Sequence, residues 1–238
     1  MRSRGSWAPR AWDFEPRGAM SIFEDREDAG KRLADELGEY RGKGVLVLAL
    51  PRGGVAVGYE VATALGVALD VFISRKIGAP GNPELAIGAV AEGDGLWLDQ
   101  ESAALLGVSE EYIREETERQ RAEITRRIQI YRQGRQLPVI AGKIVIVVDD
   151  GIATGYTILA ALKGIREMGP GVLVAAVPVA PRESLWQVSK VADRVVCLAT
   201  PEPFYAVGFH YVGFEQLSDE DVLGYLARAR QQVKPRRG

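Results

Sequence analysis

Residues 142–157 read GKIVIVVDDGIATGYT. An apolar, β-branched run at 144–148 ends in two adjacent carboxylates, Asp149 and Asp150. Gly151, Ala153, Thr154, Gly155 and Thr157 follow, and a helical pattern then begins. The run predicts a buried parallel strand. The small residues predict a tight loop feeding a helix N-terminus, where unpaired backbone N–H groups and the helix dipole favour an anion such as phosphate. Carboxylates at the strand's carboxyl end could accept hydrogen bonds from a polyol or help hold a hydrated divalent cation. The plainer reading is an α/β turn with a capping aspartate and no ligand.

Working outward, the same layout occurs upstream. A short apolar strand at 45–50 runs into Pro51-Arg52-Gly53-Gly54, and a helical pattern covers 55–65. Strand, glycine turn and helix again make a phosphate-binding arrangement. Residues 69–73 read as another strand, ending at Ser74-Arg75-Lys76. Two cations at a strand's carboxyl end suit an anionic ligand, although a solvated pair of charges fits as well. Residues 78–83 are loop chemistry. Residues 84–90 and 96–99 read as a β-pair joined by Glu92-Gly93-Asp94-Gly95. Glu84 could reach a substrate, but a carboxylate at a strand edge is the blander reading.

Downstream of the motif a helix at 158–168, a strand at 172–179, a helix at 183–191 and a strand at 194–198 follow. Alternation of this kind predicts an α/β fold, a mostly parallel sheet flanked by helices. Right-handed crossovers would bring the loops after Leu50, Ile73 and Val148 to one edge.

The remaining segments frame that core. Residues 25–40 carry Ala29, Leu33 and Leu37 at helical spacing. Residues 109–134 read as a long charged helix with a thin apolar stripe, Ile113, Ile124, Ile128 and Tyr131. Its charges suit a solvated face with i,i+4 pairs, and roles as a dimer arm or a movable lid stay open. The segment 200–214, TPEPFYAVGFHYVGF, is rich in aromatics and prolines, and a last helix is expected at 219–230. Residues 1–19 have arginines, prolines and tryptophans without periodicity and lack the apolar core of a secretory signal. We expect them to be an extension outside a single domain spanning 20–238.

The totals exclude several classes. The chain has 238 residues, 47% of them apolar, enough for a sizeable core. A formal net charge of −2 gives no global field to recruit nucleic acid. The single cysteine, Cys197, excludes an internal disulfide framework, suits a reducing cytoplasm and sits in an apolar run. No apolar run is long enough to span a bilayer. No paired Cys/His pattern suggests zinc, GIATGYT lacks the Walker lysine, and only His210 could serve a serine–histidine relay.

The stretch 142–157 resembles the diphosphosugar-binding motif of the type I phosphoribosyltransferases: an apolar strand, two acidic residues, then small residues and Thr-Gly before a helix. The resemblance implies that fold, with a small hood built from terminal segments. It implies that Asp149 and Asp150 are catalytic and meet the ribose hydroxyls of phosphoribosyl diphosphate. It also implies that Gly151, Ile152, Ala153, Thr154, Gly155, Tyr156 and Thr157 cradle the 5′-phosphate. Arg-Gly-Gly is a common form of the family's diphosphate loop. By that likeness Arg52 supplies charge, while Gly53 and Gly54 let the backbone approach the diphosphate. Lys76, with Arg75 beside it, is carried over as a basic residue reaching the diphosphate. A loop between strands in the region from Gly78 onward is expected to cover the site. Phe204 and Tyr205 in the hood are the candidates for stacking on a base, against the simpler role of anchoring the last helix.

The implied cofactor is Mg2+, held by Asp149 and Asp150 directly or through water. The implied reaction transfers a phosphoribosyl group to a nucleobase or similar small acceptor and releases diphosphate, as in nucleotide salvage. The expected partners are small molecules, not nucleic acid or membrane, and a homo-dimer stays open. Ala153 stands where the hypoxanthine–guanine branch has an acidic residue, which leaves that substrate class unsupported. The sequence around ATG is similar to the adenine branch, yet the hood is not. The whole arrangement looks like a subfamily of uncharacterised phosphoribosyltransferases. Two other readings remain: a regulator that binds phosphoribosyl diphosphate without turnover, and a hydrolase or phosphotransferase using the same loops.

Overall fold

The computed structural model describes residues 22–232; the expected extension at 1–19 lies outside them. Five parallel strands form the main sheet: β1 (Val45–Ala49), β2 (Ala68–Val71), β6 (Ile144–Val148), β7 (Val172–Val179) and β8 (Arg194–Ala199). Their order is β2-β1-β6-β7-β8. The chain therefore builds outward from β1 in one direction and from β6 in the other. The crevice between the carboxyl ends of β1 and β6 is the switch point at which open α/β sheets place ligands.

Both faces of this sheet are covered, which is why its strands are apolar throughout. Val45, Val47 and Ala49 of β1 and Ile146 and Val148 of β6 face one core. That core is filled by α1 (Arg26–Glu36), α2 (Gly53–Leu65) and α7 (Asp219–Gln232) through Leu33, Leu37, Val57, Val61, Val222 and Leu226. The alternate residues, Leu46, Leu48, Val145 and Val147, face a second core with α5 (Tyr156–Glu167) and α6 (Arg182–Ser189). Cys197 is buried in that second core, as its apolar run predicts, and burial pushes its thiol up to about 12.

A second, antiparallel sheet has the order β3-β4-β5, from β3 (Ser74–Ala79), β4 (Asn82–Ala91) and β5 (Leu96–Leu98). Two sequence expectations are corrected here. Strand β2 stops at Val71, and Arg75 and Lys76 lie on the antiparallel strand β3, not at the carboxyl end of a parallel strand. Residues 78–83 are not a free loop: Pro80 and Gly81 form the turn of a hairpin whose strands run through both flanks. The glycine and proline content misled because Gly78 is a bulge, where any methyl group would press against Pro83 Cα at 2.7 Å. A short helix α3 (Gln100–Leu105), capped by the Asp99 carboxylate, also escaped the periodicity reading.

The long helix α4 (Glu110–Arg132) begins at Ser109, whose hydroxyl accepts from the Tyr112 N–H. Its far end is fixed by Arg132, only 2% exposed. The Arg132 guanidinium donates to the Val71 carbonyl at 2.6 Å and pairs with Glu92 and Asp70, tying α4 to both sheets. No helix among the described residues is long and apolar enough to cross a membrane.

Candidate functional site

Ala49 and Val148 are register partners, and the Leu50 N–H continues the ladder to the Val148 carbonyl at 2.9 Å. The Pro51-Arg52-Gly53 turn and the Asp149-Asp150 pair therefore leave the sheet side by side. The peptide between Pro51 and Arg52 is cis. The two glycines of the turn abut the diacid. A methyl group on Gly54 would stand 2.8 Å from Asp149 Cα, and one on Gly53 would stand 2.6 Å from Asp150 Cγ. Close packing against the carboxylates is thus itself a reason for glycine at 53 and 54.

The two carboxylates differ in surroundings. Asp149 Oδ1 accepts from the Asp150 N–H at 2.9 Å and faces a cavity. Asp150 Oδ2 accepts from Arg26 Nε at 2.8 Å. The Asp150 carbonyl accepts from the Tyr211 hydroxyl at 2.5 Å. Burial, then the neighbouring Asp150, raises the Asp149 carboxyl well above the usual carboxylate range. Burial also raises Asp150, against the lowering effect of Arg26. Arg26 was missed in the sequence because it lies 124 positions away on an amphipathic helix where arginines read as solvated.

The cavity, about 340 Å³, lies beside the loop after β6. Asp149, Gly151, Ile152, Ala153, Thr154, Gly155 and Thr157 line one side, and Lys76, Glu84, Leu85 and Ala86 of the β3–β4 hairpin line the other, with Val207 closing it. Gly155 takes φ 82° and begins α5 with no side-chain cap. Helices α1, α3 and α4, by contrast, are capped by Asp25, Asp99 and Ser109. The first amides of α5 have no side-chain cap, as is also true of α6, and the positive end of α5 suits an anion. Helix α2, which follows the Arg52 turn, likewise has no side-chain cap.

Not every expected residue gathers there. Arg52 does not line the cavity; its guanidinium lies 3.9 Å from Asp219 on α7. Arg75 donates to Gln120 on α4 at 3.0 Å. Tyr156 turns away, its hydroxyl donating to Asp99 at 2.5 Å, and Ile152 packs into the second core while touching the cavity with its edge.

Residues 204–214 form the hood, clamped to the N-terminal segment by a parallel bridge between Phe23 and Tyr211. Phe204 packs within that cluster, its ring 5.0 Å from His210. Tyr205 is 75% exposed and pairs with Phe209. Neither lines the cavity; the hood residue that does is Val207. His210 is buried with Nε2 unpartnered, so it makes no hydrogen bond to a serine through that atom, and burial lowers its pKa.

Comparisons with known proteins agree in kind. A family model described as a phosphoribosyl transferase domain matches residues 20–212. The Mycobacterium tuberculosis protein named "Putative phosphoribosyl transferase Rv0571c" is 44% identical over 213 residues, covering 89% of this chain and 48% of its own length. The chain thus spans about half the length of the curated relatives it matches. The crystal structure of TT1426 from Thermus thermophilus superposes with a TM-score of 0.72 at 44% identity, covering 87% of this chain and 98% of that one. The name of that structure gives neither ligand nor activity.

Proposed function

The chain belongs to the phosphoribosyl transferase domain family, and from that premise we propose that it is a magnesium-dependent phosphoribosyltransferase. It would move the phosphoribosyl group of phosphoribosyl diphosphate to a nucleobase or similar small acceptor, as a step of nucleotide salvage. The observation that supports this best is the meeting, in one cavity beside the carboxyl end of β6, of Asp149, the uncapped start of α5 and Lys76. A carboxylate for sugar hydroxyls, amides for a phosphate and a cation for a diphosphate suit the three parts of that donor.

In this reading the 5′-phosphate sits on the amides and hydroxyls of Thr154, Gly155 and Thr157. The acceptor's lone pair forms a bond to the anomeric carbon as the bond to diphosphate breaks and diphosphate leaves with the electron pair. Asp149 favours the positive charge that develops on the ribose. Lys76, and Arg52 once drawn from Asp219, stabilise the departing anion. Holding the partners in line is worth roughly several kcal/mol of the barrier.

The residues present fit the implied magnesium. Among the described residues no group of three or more His, Cys, Asp and Glu side chains could form an all-protein cage. The diacid offers two carboxylates, a donor set suited to a hydrated hard cation that takes its other ligands from water and phosphate. Asp149 would hold it through water from the cavity, with Asp150 behind it on Arg26, and when bound it would supply neutralisation of the leaving group. A nearby cation also favours the ionised form of Asp149 against burial.

The test is diphosphate release from phosphoribosyl diphosphate with a panel of purine and pyrimidine bases. Release with at least one base is expected. Tight sugar binding with no release for any acceptor would instead favour a non-catalytic, phosphoribosyl diphosphate-binding regulator.

A further inference from the structure

We propose that Arg26 is a positioning residue of the diphosphosugar site: it holds Asp150 toward the hood, so that Asp149 is the carboxylate presented to the sugar. The proposal rests on the reading of the site just given.

Three contacts fix Arg26. Its Nε donates to Asp150 Oδ2 at 2.8 Å, its Nη1 donates to the Glu215 carbonyl at 2.8 Å, and its guanidinium lies 3.9 Å from the centroid of the Phe214 ring. The side chain is 11% exposed. A planar guanidinium can serve a carboxylate, a carbonyl and an aromatic face together, which an ammonium cannot. The N–H of Asp28 binds the Asp25 cap, so the start of α1 that carries Arg26 is itself fixed.

Asp150 is held from the other sides too. Tyr211 donates to its carbonyl, and its carboxylate stands over Gly53, where a methyl group would also come within 3.0 Å of Arg26 Nε. Asp149 lines the cavity and Asp150 does not. Two adjacent carboxylates in an enclosed site repel one another. Pairing Asp150 with Arg26 lessens that repulsion and leaves Asp149 as the carboxylate that faces the cavity. Arg26 from α1 and Tyr211 from the hood flank the pair, and Lys76 and Glu84 line the cavity that Asp149 faces. Phe214 of the hood and the Glu215 carbonyl just after it, by holding Arg26, thereby set the carboxylate geometry at the tip of β6.

The test uses the full chain with Arg26→Met and Arg26→Lys. Titration calorimetry with phosphoribosyl diphosphate and magnesium reads affinity, and carboxyl 13C NMR reads the titration of Asp149 and Asp150. Arg26→Met is expected to lose about tenfold or more in affinity, the size typical of residues that orient a ligand-bearing group. Its Asp150 resonance should titrate at higher pH. Arg26→Lys should restore much of both, because the ammonium keeps the charge. Should Arg26→Met fail to fold, Arg26→Lys carries the comparison: it loses the Glu215 contact and should bind between wild type and the methionine variant's expected value. Wild-type affinity and an unmoved Asp150 titration in the folded variants would overturn the proposal. A wild-type protein that binds no sugar fails before any substitution and overturns the site reading instead.

Discussion

Gly53 and Asp150 touch with no room for a methyl group between them: a Cβ on Gly53 would stand 2.6 Å from Asp150 Cγ. Gly53→Ala must therefore displace the carboxylate or the turn. We expect about 1–3 kcal/mol of lost stability, the usual range for overpacking. Sugar affinity should fall as well, because the displaced group is half of the diacid. Urea denaturation and calorimetry on the variant check both.

Arg52 is loosely held at the start of α2. Its contact with Asp219 is 3.9 Å long and partly exposed, and Asp219 already accepts from the Tyr131 hydroxyl at 2.6 Å. Such a pair contributes at most ~1 kcal/mol to stability. Arg52→Ala should leave the melting temperature nearly unchanged and weaken phosphoribosyl diphosphate binding roughly tenfold, the worth of a hydrogen bond to a charged group. Unaltered calorimetry would remove Arg52 from the site.

Asp149 makes the unliganded protein sensitive to pH. Burial and the adjacent Asp150 raise its carboxyl well above the usual range, so the folded chain keeps a proton that the unfolded chain has released. Stability therefore falls as pH rises from the usual carboxylate value through the raised one. Asp149→Asn, neutral at every pH, should flatten that decline and match or exceed wild-type stability at neutral pH, while losing sugar affinity. Denaturation midpoints from about pH 4 to about pH 8, spanning the carboxylate range, read the slope.

Arg132 tests how the second sheet is held. Its guanidinium is paired with Glu92 and Asp70 and donates to the Val71 carbonyl. Arg132→Met would strip buried Asp70 and half-buried Glu92 of their ion-pair partner, and breaking a buried network in this way costs about 3–5 kcal/mol. Chemical denaturation is the check, and a loss within the range of a surface substitution would contradict the structural role given to this network.

Most of the fold is legible in local pattern. The β-branched run at 144–148 and the apolar run at 45–49 are buried strands because both faces of the sheet are covered. Ser109 marks the start of α4 because its hydroxyl meets an unpaired N–H. The hairpin was not legible, since Gly78 and Pro83 look like loop residues until a bulge lets their backbones pack together. In the site, the residues of one strand–loop–helix unit were legible because spacing alone sets their order. Arg26 and Val207 were not: they reach the diacid and the cavity only through tertiary packing, and no local signal marks an arginine that meets Asp150 from another helix. Tyr156, inside the motif, faces Asp99 because the first turn of α5 directs its side chain toward α3, a choice that spacing does not reveal.

The central claim is that Asp149 and the loop behind it form the seat of a phosphorylated pentose. The most direct measurement is a crystal structure of the protein with phosphoribosyl diphosphate and magnesium bound. The expected result is the 5′-phosphate on the first amides of α5 beside Thr154 and Thr157, with the ribose hydroxyls on Asp149. A sugar found elsewhere, or an empty loop at saturating ligand, would contradict it.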